Sequence, residues 1–320
     1  ECAPTHDING ETIETCLAVS KQLTDSIIGI SCYSHSLIYE KLNSVIYGHQ
    51  SIKSAIDIAC YDLASKSKKL PLYNYLGGKI NKKIYTDYTV SLNDVDIMVK
   101  QAEKIVKKGF KIIKVKLGDS GKKDIERIKH IRKCIGDDKQ IRIDANQGWN
   151  IEEAIDTLKN IDKYNIEYCE EPINRDLSFR LNEVKESSPV KIMADESLFT
   201  SYDAEMMVHG NHCDMFNLKI GKHGGLFETK KIVSIAEENN IPMQVGGFIE
   251  SKIIFTVNCH LGHTSNLIKF FDCDSPLFHE LNPIVGGLEY KNDWELSLPN
   301  SNGIGVDIEE DFLKNSTKII

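Results

Sequence analysis

The sequence predicts an α/β protein built on a parallel (β/α) barrel, and three observations carry that expectation. From Lys83 onward, short apolar strands alternate with amphipathic helices, the rhythm of a parallel sheet with helical crossovers. Residues able to do chemistry recur at the strand ends, once per strand–helix unit. The stretch Lys-Ile-Ile-Lys-Val-Lys-Leu-Gly ending at Gly118 places Ile112, Lys114 and Lys116 on one strand face and Ile113, Val115 and Leu117 on the other. An exposed strand face in a lysine-rich chain would explain the two lysines without further chemistry. On the inner face of a barrel they would lie in a low-dielectric space, where a charge is costly unless it is used.

Composition bounds the function. The chain has 320 residues, 41% hydrophobic and 27% charged, with a net charge of −8. There is no long basic run, which argues against nucleic-acid or membrane-surface partners. No apolar run reaches the ~18 residues of a membrane-spanning helix. The nine cysteines are scattered without a Cys-x-x-Cys pair, so a reduced, cytoplasmic setting is expected. The chain opens at Glu1-Cys-Ala-Pro with neither Met nor a signal peptide, and is expected to start partway through a domain.

Residues 10 to 80 read as helices. One opens at Gly10-Glu-Thr-Ile, a second covers His35–Val45, and a third runs from Gln50 to about Lys66. The third carries Ile52, Ala55, Ile56, Ala59, Cys60 and Leu63 at helical spacing. Pro71 to Gly78 is a short helix stopped by paired glycines. Eight strands follow: Ile84–Leu92, Lys111–Leu117, Gln140–Ala145, Ile166–Glu170, Lys191–Ala194, Met215–Lys219, Pro242–Val245 and Leu267–Phe271. Helices are expected over Asp94–Lys107, Lys122–Cys134, Ile151–Lys163, Asp203–Val208, Gly225–Glu238 and Lys252–Leu261. The expected organisation is a helical segment (1–81), a barrel (82–285) and a C-terminal segment (286–320) returning to the first.

Strand three ends on Asp144-Ala-Asn146, strand four on Glu170-Glu171-Pro172, strand five on Asp195-Glu196-Ser197 and strand six on Asn217-Leu-Lys219. Lys116 to Asp144 spans 28 positions, Asp144 to Glu170 26, Glu170 to Asp195 25, and Asp195 to Lys219 24. In a closed barrel these tips converge on one mouth; in an open sheet they would be strung along an edge. Isolated, each acid reads as a helix cap or salt-bridge partner. Together, three carboxylates repel unless one binds a proton or all share a cation. All-oxygen ligation suggests a hard ion, Mg²⁺ first and Mn²⁺ second. Lys116 and Lys219 flank the acids on opposite sides of the ring. One could remove an α-proton and the other return it to the opposite face, the metal stabilising the enediolate between the steps. A free lysine titrates near 10.4, so a base at neutral pH requires roughly 4 kcal/mol of stabilisation for the neutral amine.

The run Lys-Val-Lys116, Asp144-Ala-Asn-Gln-Gly-Trp, Glu170-Glu-Pro, Ala-Asp195-Glu-Ser and Asn-Leu-Lys219-Ile resembles the enolase superfamily, in its muconate-lactonizing-enzyme subgroup. Phe271-Asp272-Cys-Asp274 and Thr86-Asp-Tyr-Thr89-Val-Ser resemble the dipeptide epimerases of that subgroup. The resemblance implies a modified (β/α)7β TIM barrel with an α+β capping domain, whose N-terminal strands are missing from this chain. It implies an isomerase of murein peptide metabolism that epimerises dipeptides with Mg²⁺, L-Ala-D/L-Glu by preference. A homo-oligomer is expected. By resemblance Lys116 and Lys219 are the acid/base pair. Asp144, Glu170 and Asp195 bind the metal, Lys114 assists Lys116 and the substrate carboxylate, and Thr89 and Gly247 line the pocket. Asp272 and Asp274 share a strand face and would offer two negative charges to a dipeptide's ammonium. A solvated acidic turn is their plain reading.

Alternatives remain. A cycloisomerase or o-succinylbenzoate synthase shares the scaffold, but its substrates lack the ammonium that Asp272 and Asp274 suit. A Schiff-base aldolase needs one buried lysine and no acidic cage, and a catalytically silent barrel would serve as an assembly subunit. Gly221 to Gly225 reads as a tight turn into a helix rather than a phosphate nest. Gly246-Gly247-Phe-Ile-Glu-Ser resembles the loop that shapes the pocket after strand seven. The pairs His209/His212 and His260/His263 are expected on helix surfaces.

Overall fold

The computed structural model describes residues 1–80 and 82–318. Asn81, at the expected boundary between the helical segment and the barrel, lies outside them. Helix α1 (Ile13–Ile27) starts at a capping box in which Thr12 and Thr15 exchange side-chain-to-backbone hydrogen bonds, satisfying amides that have no partner within the helix. It packs with α2 (His35–Val45) around Leu23, Ile38 and Leu42.

In helix α3 (Gln50–Ser67), Ile52, Ile56 and Cys60 of the expected apolar stripe pack half-buried on that cluster, but a second face is buried more deeply. Its buried residues are Ser51, Lys53, Ser54, Asp57, Ile58, Tyr61, Ala64 and Ser65, while Leu63 is 59% exposed. Small and polar side chains face inward because the helix lies close against backbone. The Asp57 carboxylate accepts the N–H groups of Leu226 and Phe227 at 2.6 and 3.3 Å, and a side chain at Gly225 would collide with it.

The barrel sheet has eight parallel strands in sequence order. They are β1 (Tyr88–Val90), β2 (Ile112–Lys116), β3 (Gln140–Asp144), β4 (Ile166–Glu170), β5 (Ile192–Ala194), β6 (Met215–Leu218), β7 (Met243–Val245) and β8 (Ile268–Phe271). Strand one is shorter than Ile84–Leu92: Ile84–Tyr85 turns away and pairs antiparallel with Leu296 and Glu295. The seam between β8 and β1 is joined by Asp87 N–H to Phe271 O (3.3 Å) and by two side-chain bonds. Cys273 N–H donates to Thr86 Oγ1 at 3.0 Å and Thr89 N–H to Asp274 Oδ2 at 2.7 Å.

Around the sheet lie α4 (Val95–Lys107), α5 (Gly121–Ile135), α6 (Ile151–Ile161), α7 (Leu181–Ser187), α8 (Ser201–His209), α9 (Leu226–Glu238) and α10 (Lys252–Gly262). Helix α7 was not anticipated; it buries only Leu181 and Val184, too few positions to show a period. Outward residues such as Ile113, Val115, Ile141 and Ile143 are fully buried beneath the helices, each worth about 1.5–3 kcal/mol on removal from water. Inside the barrel, Tyr168, Met193 and Met215 pack with Phe270 below the mouth.

The C-terminal segment contributes two small antiparallel sheets. It meets the helical segment where Leu72 N–H donates to Gly303 O (2.8 Å) and Ile304 N–H to Asp62 Oδ1 (2.8 Å). No helix among the described residues is long and apolar enough to cross a membrane.

Candidate active site

Strand register builds the site. Lys116 pairs with Asp144, and Asp144 with Glu170. Glu170 pairs with Met193, so Asp195 follows just past the tip of β5. The three acids are fully buried and form a row with lysines interleaved. Lys116 Nζ lies 2.7 Å from Asp144, and Lys114 Nζ lies 2.8 Å from Glu170 and 3.1 Å from Asp144. At the far end Lys219 Nζ is 2.5 Å from Asp195 and 3.9 Å from Glu170. Lys116 and Lys219 therefore stand at opposite ends of the row, on strands four apart in the ring.

The electrostatics of the row are unequal. Burial disfavours charge on Asp144, but Lys116 and Lys114 outweigh it and hold the carboxyl well below its usual range. Burial likewise opposes charge on Asp195, and Lys219 and Lys222 overcome it. Glu170 goes the other way: burial and the neighbouring Asp144 charge push it up to about 7. Glu170 is thus the member of the row whose charge its surroundings favour least. Asn217 Nδ2 donates to Glu170 Oε1 at 2.8 Å, and Asn217 Oδ1 is buried without a partner. The three carboxylates and this orphaned amide oxygen form an all-oxygen donor set that fits a hard divalent ion.

Burial alone would lower Lys219, but Asp195 and Glu170 hold its ammonium above the usual range. Its backbone N–H donates to His223 Nε2 (3.2 Å), which leaves Nδ1 as the donor to Phe199 O (2.8 Å). That neutral tautomer is enforced by burial and by Lys222, which push His223 down to about 3. Lys222 is fully buried and reaches Asp195 Oδ1 at 2.7 Å, Asp195 O at 2.5 Å and Asn217 O at 3.2 Å.

A cavity of about 630 Å³ opens above the row, lined by Thr89, Lys114, Lys116, Lys219, Gly247, Asp272 and Asp274. Pro4, Ile8, Phe248, Ile249 and Phe278 form an apolar outer wall. The first residues cross the mouth. Glu1 accepts Ser251 N–H at 2.6 Å at the start of α10, and Ile8 O accepts Arg175 Nη1 at 2.7 Å. Asp272 shares Lys114 (2.8 Å) with the row, and beyond it Asp274 takes the Thr89 amide. Asp87, Asp272 and Asp274 can bring one carboxylate oxygen each within 4.8 Å of one another. Among the described residues this is the one group of three acids that brings an oxygen from each so close together.

Comparison with known proteins now places the chain. Residues 97–312 match the enolase C-terminal domain-like family. Residues 5–77 match the mandelate racemase / muconate lactonizing enzyme N-terminal domain. The chain belongs to the mandelate racemase/muconate lactonizing enzyme family of the enolase superfamily. Within that family it is 43% identical to a D-Ala-D/L-Ala epimerase of Cytophaga hutchinsonii, over 100% of this chain and 87% of the relative. It is 34% identical to an L-Ala-D/L-Glu epimerase of Bacillus subtilis, over 96% of this chain and 84% of that one. A crystal structure of the dipeptide epimerase from Cytophaga hutchinsonii, complexed with Mg and D-Ala-L-Val, superposes with a TM-score of 0.96 at 42% identity. That match covers 98% of this chain and 85% of that one.

All ten residues singled out from sequence lie on the mouth side of the barrel, in the row or the cavity wall. The histidines correct another expectation. His260 is fully buried and His263 is 7% exposed, because α10 is enclosed on every side by the barrel, the Leu72–Tyr75 turn and Ile304. His260 accepts Tyr73 N–H at Nδ1 and faces Ile304 O through Nε2. His212 lies past the end of α8. Sequence reasoning missed Lys222, Asp87 and Arg142. The period of two was the available signal for the last pair: Arg142 precedes Asp144 by two positions, and Asp87 precedes Thr89 by two.

Proposed function

We propose that this chain is a Mg²⁺-dependent dipeptide epimerase working by two-lysine 1,1-proton transfer. The observation that carries the reading is the row Asp144–Glu170–Asp195 with Lys116 at one end and Lys219 at the other. Asp144, Glu170 and Asp195 would hold the ion, with Mn²⁺ as a substitute of the same hardness. When bound, that ion supplies positive charge that offsets the carboxylates holding Lys219 protonated and the charge building on the substrate carboxylate. Lys116 removes or returns the α-proton on one face, and Lys219 does so on the other. Lys114 stays charged between the row and Asp272. Asp272 and Asp274 receive the dipeptide's ammonium at the opposite pole, which fixes the α-carbon between the two amines. Salt-bridged, buried lysines in an acidic cage disfavour the Schiff-base alternative.

The outer wall favours a small or apolar side chain on the epimerised residue, as in a D-Ala-D/L-Ala substrate. L-Ala-D/L-Glu is the second reading. His6, at the cavity mouth, is the feature that favours it. A panel of dipeptides incubated with the protein and Mg²⁺ in D₂O, read by mass spectrometry, tests both. One deuterium should enter at the α-carbon of the C-terminal residue, fastest for apolar pairs. No incorporation with any dipeptide would overturn the proposal.

A further inference from the structure

Beneath Asp272 and Asp274 lies a charged layer that the reaction does not use. Asp87 is fully buried and binds Arg142 Nη1 through Oδ2 at 2.9 Å. Arg142 is 3% exposed, pairs with Glu167 at 2.7 Å, and rests on the Tyr168 and Phe270 rings at 5.6 and 5.1 Å. The other Asp87 oxygen, Oδ1, is buried with no partner. It belongs to the carboxyl group that crowds Asp272 and Asp274 within 4.8 Å. Three carboxyl groups thus meet at the edge of the cavity, which Asp272 and Asp274 line. The cations facing them are Arg142, shared with Glu167, and Lys114, shared with Glu170 and Asp144. The group is short of positive charge on the side open to the cavity.

We propose that Asp87 is a positioning and specificity residue for a cationic substrate terminus, acting through Asp272 and Asp274. It rests on the reading that this pair receives the ammonium. Two physical effects follow from its place. Asp87 occupies the Arg142 guanidinium, which would otherwise draw Asp272 down and neutralise it from below. It also places a third carboxyl group, one oxygen of which is buried without a partner, within 4.8 Å of the pair, so a neutral terminus in the subsite leaves this acidic group without a counter-charge. The selectivity for an ammonium is therefore set one layer below the residues that touch it.

The test compares D-Ala-L-Ala with N-propionyl-L-alanine, which carries a hydrogen in place of the ammonium and is otherwise the same molecule. Binding of each is measured by calorimetry in the presence of Mg²⁺, for the unaltered protein, for Asp87→Asn and for the double variant Asp87→Asn with Arg142→Met. The double variant removes both charges together and keeps apolar packing on Tyr168 and Phe270; only Glu167, whose side chain is 26% exposed to water, loses its partner, so the comparison holds if the single variant fails to fold. Circular dichroism reports folding. The unaltered protein should prefer D-Ala-L-Ala, and that preference should fall about tenfold in the variants, the scale of one charge-assisted contact. N-propionyl-L-alanine binding should change little. Variants that fold and keep the full preference would overturn the role of Asp87. An unaltered protein that binds both compounds equally would instead overturn the ammonium subsite itself.

Discussion

Replacing Asp57 by Asn tests the contact between the helical segment and the barrel. Asp57 is 2% exposed; one oxygen caps the start of α9 through Leu226 and Phe227, and the other has no partner. Burial pushes this carboxyl up to about 7, and the two amide hydrogen bonds pull it only part of the way back. In the unfolded chain it titrates near 3.9. Because the folded value is the higher one, the folded protein holds a proton that the unfolded chain releases. The group's contribution to stability is intact below about pH 4 and is lost as pH rises towards 7. Three pH units at 1.36 kcal/mol each set the full loss at roughly 4 kcal/mol above neutrality. Asn keeps an acceptor for Leu226 N–H and carries no charge. The variant and the parent should therefore melt together at pH 4. At pH 8 the variant should be more stable by up to ~4 kcal/mol, or about 8 °C at ~2 °C per kcal/mol. Thermal unfolding followed by circular dichroism at pH 4, 6 and 8 measures the gap. A gap that does not widen with pH, or a variant less stable at pH 8, refutes the reasoning.

Two further outcomes are expected. A methyl group at Gly247 would come within 2.5 Å of Phe255 Cζ and 2.7 Å of Glu250 Oε2. Phe255 is fully buried and cannot yield, so Gly247→Ala should displace the pocket loop and lower kcat/KM roughly 10- to 100-fold while the melting temperature changes little. Dialysis against a chelator should abolish α-proton exchange, and adding Mg²⁺ back should restore it. A chelated protein that stays active would remove the ion from the account.

The sequence made the site more legible than its surroundings. Asp144, Glu170, Asp195 and Lys219 recur once per strand–helix unit, and that spacing alone places them on adjacent strand tips. Their counter-charges were harder to read. Lys222 approaches Asp195 only because the chain turns sharply after β6, and nothing in the local pattern shows that turn's direction. The Lys219 ammonium is held by carboxylates from two other strand tips, Glu170 and Asp195, which its own strand does not show. Helix α3 was half legible: Ile52, Ile56 and Cys60 pack as their spacing implies, but the fully buried face is lined by Ser51, Ser54 and Asp57. A face that docks on backbone needs small or hydrogen-bonding side chains, so hydrophobic periodicity pointed towards Leu63, which is exposed. His260 was misplaced for the converse reason: a helix enclosed all round has no polar face for a histidine to mark.

The most direct measurement is stereospecific α-proton exchange in D₂O by Lys116→Ala and Lys219→Ala, each with both configurations of one accepted dipeptide. With an amine at each end of the acidic row, each variant should lose epimerisation by roughly 10²- to 10⁴-fold. Each should still exchange the proton facing its remaining lysine, so the two variants should act on opposite configurations. Either variant epimerising at the parent rate, or both exchanging the same configuration, would contradict a proton handed between two opposed lysines.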